Sequence, residues 1–307
     1  MAEPELLLAD FYAPPTADEA TLSAVRWRHT TAAVSAGGFS FRVRASNREF
    51  GRHLDRLLAG FPKFTGTRPI TTYSVMSGVA GHPGWWAVYA DERRISNCDF
   101  PSVALTHLFA HLNRAVVAHS PDDAVSLHAA ACAWRGAAAV IAGPTESGKS
   151  TLAAGLALCG MSYLTDEVVE IDPIGLTVRP YPKPPSIDPG AWSVLPTLRP
   201  AESIEGVGFS QWHVDPAMLP GGVATEPVPV RLLLRCRWRK GSATTFKPTS
   251  RAALVVDLAL DMFRPRERLA WQIEVLGRLA EQALAYDLVY DHLDEATGAI
   301  IELLDRG

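Results

Sequence analysis

The chain has 307 residues, enough to bury a large core in one large or two ordinary domains, and its 48% hydrophobic and 20% charged content excludes a long disordered span. A net charge of −4 gives no global basic field, so neither nucleic acid nor a membrane is an expected partner, and no apolar run approaches the roughly 18 residues of a membrane span. Cys98, Cys132, Cys159 and Cys236 have no C-x-x-C spacing and read as reduced thiols, which with the lack of a basic-then-apolar leader in MAEPELLLADFY makes the cytoplasm the expected compartment.

Residues 1–121 read as a first, α+β domain with a structural or substrate-binding role. Phe39, Phe41 and Val43 alternate with polar residues as a strand does, and a helix is predicted over residues 47–58, stopped by Ala59-Gly60-Phe61-Pro62. Two strand-like runs follow at residues 70–76 and 85–90, then a helix at 102–118 with Leu105, Leu108, Phe109 and Leu112 on one face. Trp85 and Trp86 fit either a recognition surface or core on one strand face and cover on the other. His107 and His111 share a helical face, but with His119 they fall short of a metal set and read as packing or solvated residues.

Residues 122–307 read as a second domain built around a phosphate loop. Residues 126–136 look like a strand and turn leading into the apolar run 137–142, itself a buried strand; a hairpin of the two would place His128 close to Lys149, as a phosphate contact, an orienting partner for Asp166, or a core histidine. Gly143-Pro144-Thr145-Glu146-Ser147-Gly148-Lys149-Ser150 then matches G-x-x-x-x-G-K-[ST] at every fixed position. Its glycines permit the positive φ values that turn backbone N–H groups toward one anion, Lys149 is placed to reach the β- and γ-phosphates, and the Ser150 hydroxyl to meet Mg²⁺. The apolar strand before it and the helix formers from Thr151 onward set it apart from an ordinary Gly/Ser turn.

The helix from Lys149 to Cys159 carries the chain roughly 16 Å away at 1.5 Å per residue. After Gly160, a strand at 161–165 returns it by a similar distance at about 3.3 Å per residue. If that strand runs parallel to the first, Asp166 and Glu167 emerge at the phosphate end. One would accept a proton and the other would help hold Mg²⁺, with Asp166 the expected base; the alternative is that the pair only ends a strand.

Residues 171–180 carry a hairpin signal with its turn at Asp172 to Gly175, and the proline-rich stretch 181–190 reads as an ordered loop in which Lys183 is either a cation for phosphate or substrate or a solvated lysine. Residues 192–229, including Glu202 and Glu205, read as irregular and long enough for a lid or partner loop. A strand is predicted at 231–238, with Arg235, Arg237, Arg239 and Lys240 either steering an acidic partner or forming a solvated face. Helices at 250–262 and 265–283, an edge strand at 285–290 and a helix at 294–304 complete the chain.

The sequence HAAACAWRG, then GPTESGKST, then SYLTDEVVEI resembles the kinase domain of HPr kinase/phosphorylase and the wider HPr-kinase-like set. PYPKPPSI and the tail YDLVYDHLDEATGAI look like the branch that includes kinases of lasso peptides. The resemblance covers roughly residues 120–305 and implies an α/β P-loop kinase domain of the HPr-kinase type, behind a smaller N-terminal α+β domain. It implies ATP bound by Gly143 through Thr151, Mg²⁺ served by Ser150 and Glu167, Asp166 as base and His128 as a site residue. The implied activity is transfer of the γ-phosphoryl group to a hydroxyl, most simply serine of a protein or peptide. A small-molecule alcohol or sugar acceptor, or ATP-responsive binding without catalysis, are the alternatives; an oligomer is compatible with all three. Glu205-Gly-Val-Gly208 matches the family's later glycine-containing signature only in part, which leaves its second Mg²⁺ carboxylate and any phosphorylase activity without a sequence basis.

Overall fold

The computed structural model describes residues 19–79, 82–200, 211–263 and 268–306, and is a mixed α/β structure built on two large sheets. The first half comprises α1 (Glu19–Ala24), β1 (His29–Thr30), β2 (Val34–Ala36), β3 (Phe39–Ala45), α2 (Arg48–Leu57), β4 (Thr71–Val79), β5 (His82–Ala90), β6 (Arg93–Cys98) and α3 (Pro101–Ala118). Among the described residues its six strands form one sheet, ordered β1-β3-β4-β5-β6 with β2 beside β3. The expected strands and helices are present, and α1, β1, β2 and β6 are additions. Asn47 caps α2 by accepting from the Phe50 amide at 2.9 Å, and Pro101 occupies the first turn of α3, where its missing N–H costs nothing. Both helices lay apolar faces on the sheet, and Phe41, Val43, Leu54, Tyr73, Val75 and Leu108 are sealed between them.

His107, His111 and His119, expected as packing or solvated residues, each have a protein partner. His111 meets the Tyr73 hydroxyl at 2.9 Å, His107 meets Ser96, and His119 lies against Phe39 and the Ala115 carbonyl. Trp86 packs on Phe50 while Trp85 stays largely exposed, the one-face-core pattern of a half-buried strand.

The second half contains β7 (Val125–His128), β8 (Ala130–Trp134), β9 (Ala137–Ala142), α4 (Lys149–Leu158), β10 (Ser162–Thr165), β11 (Val168–Asp172), β12 (Thr177–Arg179), β13 (Ser186–Ile187), β14 (Trp212–His213), β15 (Val228–Trp238), β16 (Thr245–Pro248), α5 (Arg251–Leu260), α6 (Leu269–Gln282), β17 (Leu284–Tyr290) and α7 (Leu293–Arg306). Nine of these strands join in the order β10-β8-β9-β15-β12-β11-β7, with β17 beside β15 and β16 beyond it. The segment expected as one strand over 126–136 is divided at Ala129: β7 pairs with β11, whereas β8 forms the expected hairpin with β9 through Arg135 and Gly136, both at positive φ. Since β7 and β8 are joined through Ala129 alone, the two ends of the strand order are drawn together and the sheet curls back on itself.

Neighbouring side chains alternate between two cores. Ala139, Ile141, Leu232, Leu234 and Leu288 meet α4 and α7, whereas Ala138, Val140, Val230 and Leu233 meet α5 and α6. Each fully buried leucine contributes about 1.5–3 kcal/mol by leaving water. The strand expected at the edge, β17, lies inside, between β15 and β16; β16 was not legible because Phe246 is the one apolar side chain between its charged and proline neighbours. Strands β9, β15 and β17 are mutually parallel, so their carboxyl ends share one edge. Strand β10 is antiparallel to β8, which is antiparallel to β9, so β10 points the same way as β9 with one strand between them.

Between β13 and β15 the described chain is irregular apart from the two-residue β14, with single turns at Pro189–Ala191, Pro196–Leu198 and Pro216–Met218. Glu202, Glu205 and the glycine-containing segment around them lie outside the described residues. Tyr181, after β12, enters the first half's core against Phe61 and donates to Asn113 at 2.8 Å, so the two halves share packed surface.

Candidate functional site

Strand β9 ends at Ala142, and the next six residues fold into a tight cradle. Gly143, Glu146 and Gly148 have φ of 147°, 64° and 93°, and the two glycines leave no room for a side chain. A Cβ on Gly143 would stand 2.6 Å from the Cys236 carbonyl and 2.8 Å from Ser147 Oγ; one on Gly148 would stand 2.5 Å from Tyr290 Oη. The loop is tied to the carboxyl ends of the neighbouring parallel strands. The Trp238 amide donates to the Ser147 carbonyl at 2.8 Å, and the Tyr290 hydroxyl donates to the Gly148 carbonyl at 3.2 Å. Helix α4 begins at Lys149 with no side-chain cap, so its first amides face the cradle.

Lys149 is largely buried, and its ammonium donates to the Gly143 carbonyl at 2.6 Å and the Pro144 carbonyl at 3.0 Å. Burial pulls its pKa down, against the opposing pull of Asp261, Cys236 and Glu167. The Ser147 hydroxyl is buried with no hydrogen-bond partner among the described residues, and Ser150 and Thr151 are half-buried on the first turn of α4. Pro144, Thr145 and Glu146 form the exposed lip. An anion fits this donor set: a glycine-only backbone, uncapped helix amides, an ammonium and an unpartnered hydroxyl lie within one eight-residue loop.

The two adjacent carboxylates part company. Asp166 is sealed from solvent: Oδ1 lies 2.6 Å from Lys183 Nζ and accepts from Tyr163 Oη at 2.8 Å, while Oδ2 accepts from the Ser186 amide at 2.9 Å. Lys183 is equally buried and also donates to Ser186 Oγ at 2.9 Å and to the Pro184 carbonyl at 3.2 Å. Asp166, expected as the base, is thus buried and ion-paired in this structure. Both its oxygens are engaged in holding the proline-rich loop to the end of β10, and Lys183 is neither a phosphate ligand nor solvated.

Glu167 takes the other direction. Its side chain is 34% exposed, and Oε1 lies 3.8 Å from Nδ1 of His128, which is 37% exposed. The curl of the sheet makes this meeting: Val168, the first residue of β11, is in register with His128, the last of β7. Thr165 Oγ1 accepts from the Glu167 and Val168 amides at 3.2 and 3.3 Å, which fixes the turn that sends the two carboxylates apart.

A third carboxylate was not singled out in the sequence. Asp261 ends α5; its carbonyl accepts from the His128 amide at 2.7 Å, and its carboxylate is hydrogen-bonded by the backbone of Gly143. Burial raises its pKa, opposed by the charges of Lys149 and His128. An acid at a helix carboxyl end works against the helix dipole, and that local conflict was the available signal. Among the described residues no group of three or more His, Cys, Asp or Glu side chains forms a metal cage. The donors present, a hydroxyl and separate carboxylates beside an anion cradle, fit a Mg²⁺ ion completed by phosphate oxygens. No helix of the described residues is long and apolar enough to cross a membrane.

The chain matches no protein-family model, and no curated protein matches it. Among solved structures it is similar to the HPr(Ser) kinase/phosphatase from Coxiella burnetii, with 13% identity and a TM-score of 0.30 over 59% of this chain and 93% of that one, a likeness too shallow to transfer fold detail or chemistry.

Proposed function

We propose that this chain is an ATP- and Mg²⁺-dependent phosphotransferase that moves the γ-phosphoryl group to a hydroxyl, with Glu167 rather than Asp166 receiving the hydroxyl proton. The observation that carries the reading is the cradle of residues 143–150, in which two positions admit only glycine and which holds an unpartnered buried serine hydroxyl and an ammonium. The acceptor class, serine on a protein or peptide, rests on the motif resemblance of GPTESGKST and SYLTDEVVEI.

Lys149 and the first amides of α4 would bind the β- and γ-phosphates. Ser150 and Asp261 would hold Mg²⁺, which when bound neutralises charge on the phosphate oxygens. Asp261 suits that role because its carboxylate lies at the backbone of Gly143, where the loop begins. Glu167 suits the proton because it opens to solvent and His128 lies next to it. The acceptor oxygen forms its bond to phosphorus as the bond to the β–γ bridging oxygen breaks; the electron pair leaves on ADP and the proton passes to Glu167. His128 orients that carboxylate.

Calorimetric titration with Mg-ATP, followed by mass spectrometry of serine-containing peptides incubated with it, tests the proposal. The wild type should bind ATP and yield phosphopeptide, and Lys149→Ala should do neither. Undiminished ATP binding by Lys149→Ala removes the cradle from the reading; ATP binding with no phosphorylated peptide removes the acceptor class.

A further inference from the structure

The cradle accounts for the phosphates of a nucleotide but leaves its base without a described partner. Three parallel strands, β9, β15 and β17, end beside one another, and ligands of such sheets lie beyond their carboxyl ends. Trp238 is the last residue of β15 and is in register with Tyr290, the last of β17. Side chains alternate along β15, so Trp238 follows Leu234 and Cys236 onto the face that carries α4. There its Cβ stands 3.1 Å from where a Cβ on Gly148 would be, at the point where the cradle becomes helix.

Trp238 is 48% exposed. Trp27, Trp134, Trp192 and Trp271 each lie under an arginine, Trp86 packs on Phe50 and Trp212 stacks on His53. Among the described residues nothing of that kind meets Trp238: no ring, cation or side-chain hydrogen bond occupies the indole, although its backbone amide is locked to the loop. A rigid strand end thus presents a large bare π-face at the helix side of a phosphate cradle.

We infer that Trp238 is the platform on which the base of a bound nucleoside triphosphate stacks. The inference rests on the nucleotide reading above and adds what that reading lacks. Every base has a π-face, and stacking does not read hydrogen-bonding edges, so the site accepts adenine and guanine alike.

The test compares ATP, GTP, ribose 5-triphosphate and inorganic tripolyphosphate by calorimetry, each with Mg²⁺, on wild type, Trp238→Ala and Trp238→Phe. In the wild type, ATP and GTP should bind within a few-fold of each other and roughly 10-fold or more tighter than ribose 5-triphosphate, the range expected for one stacked base. Trp238→Ala should lose that factor for ATP and leave tripolyphosphate unchanged, and Trp238→Phe should recover most of it. Equal affinity of the wild type for ATP and ribose 5-triphosphate overturns the inference without any variant. So does an alanine variant that binds ATP as wild type does, or one that loses ATP and tripolyphosphate in the same proportion, which would make Trp238 a prop for the loop. Wild type that binds none of the four ligands overturns the nucleotide reading itself, and the inference with it.

Discussion

The ammonium of Lys183 lies 2.6 Å from Oδ1 of Asp166, with both side chains 1% exposed, and this pair joins the end of β10 to the proline-rich loop over which Tyr181 reaches into the first half of the chain. A buried ion pair gains little over an apolar pair of the same shape, but breaking it strands a charge. Asp166→Ala should therefore cost about 3–5 kcal/mol in urea unfolding, and the double variant with Lys183→Met should recover part of that loss. A stable Asp166→Asn protein that binds ATP yet has lost transfer would return the base to Asp166.

Glu167→Gln is expected to behave differently. The side chain is half-exposed and its loss strands nothing, so unfolding midpoints should stay within about 0.5 kcal/mol of wild type. Phosphoryl transfer should fall by roughly 10²–10⁴ with ATP affinity altered only a few-fold, the separation expected of a proton acceptor. His128→Ala should lose less, because His128 acts through Glu167. Rapid-quench measurement of the transfer step on pre-bound ATP distinguishes these outcomes from a binding defect.

The loop of residues 143–150 is legible in the sequence because all its requirements are local: an apolar strand, glycines at fixed spacing, a lysine and a hydroxyl on the next helix. The strand after α4 is legible for the same reason, since helix and strand lengths alone return it to the phosphate end, and β10 does point that way. Which of Asp166 and Glu167 faces the site is not legible. Alternation says that the two point apart, and what buries Asp166 is its contact with Lys183, Ser186 and Tyr163, whose meeting depends on the path of a proline-rich loop. Asp261 is hidden more deeply, because it reaches Gly143 only through the packing of α5 and the curl that brings β7 alongside.

Asp261 carries a pH signature. Its folded-state pKa is raised by burial, so the folded chain holds that proton more tightly than the unfolded one does, and the ionised carboxylate costs stability as pH rises above the unfolded value of about 3.9. Asp261→Asn removes that cost. It should match wild type near pH 4 and be the more stable protein at pH 7, while its Mg²⁺-dependent turnover falls at least ten-fold. Thermal unfolding across that pH range, read beside ATP turnover at several Mg²⁺ concentrations, gives both quantities. A variant less stable than wild type at pH 7 would mean that the contact with Gly143 outweighs the burial.

Gly148 and Tyr290 give the sharpest test of the cradle as a built object. Gly148 has φ of 93°, which alone costs an alanine about 1–2 kcal/mol, and its added Cβ would stand 2.5 Å from Tyr290 Oη. That hydroxyl donates to the Gly148 carbonyl, so it cannot swing away without giving up a bond to the loop. Gly148→Ala should therefore lower both stability and ATP affinity in wild type, and cost less in a Tyr290→Phe background, where the clashing oxygen is gone and the backbone strain and the 3.1 Å approach to Trp238 Cβ remain. In a double-mutant cycle of urea unfolding the double variant should be less destabilised than the sum of the two single variants, by about 0.5–2 kcal/mol. Strict additivity would place the two residues out of contact and would dissolve the link between the end of β17 and the mouth of the phosphate loop.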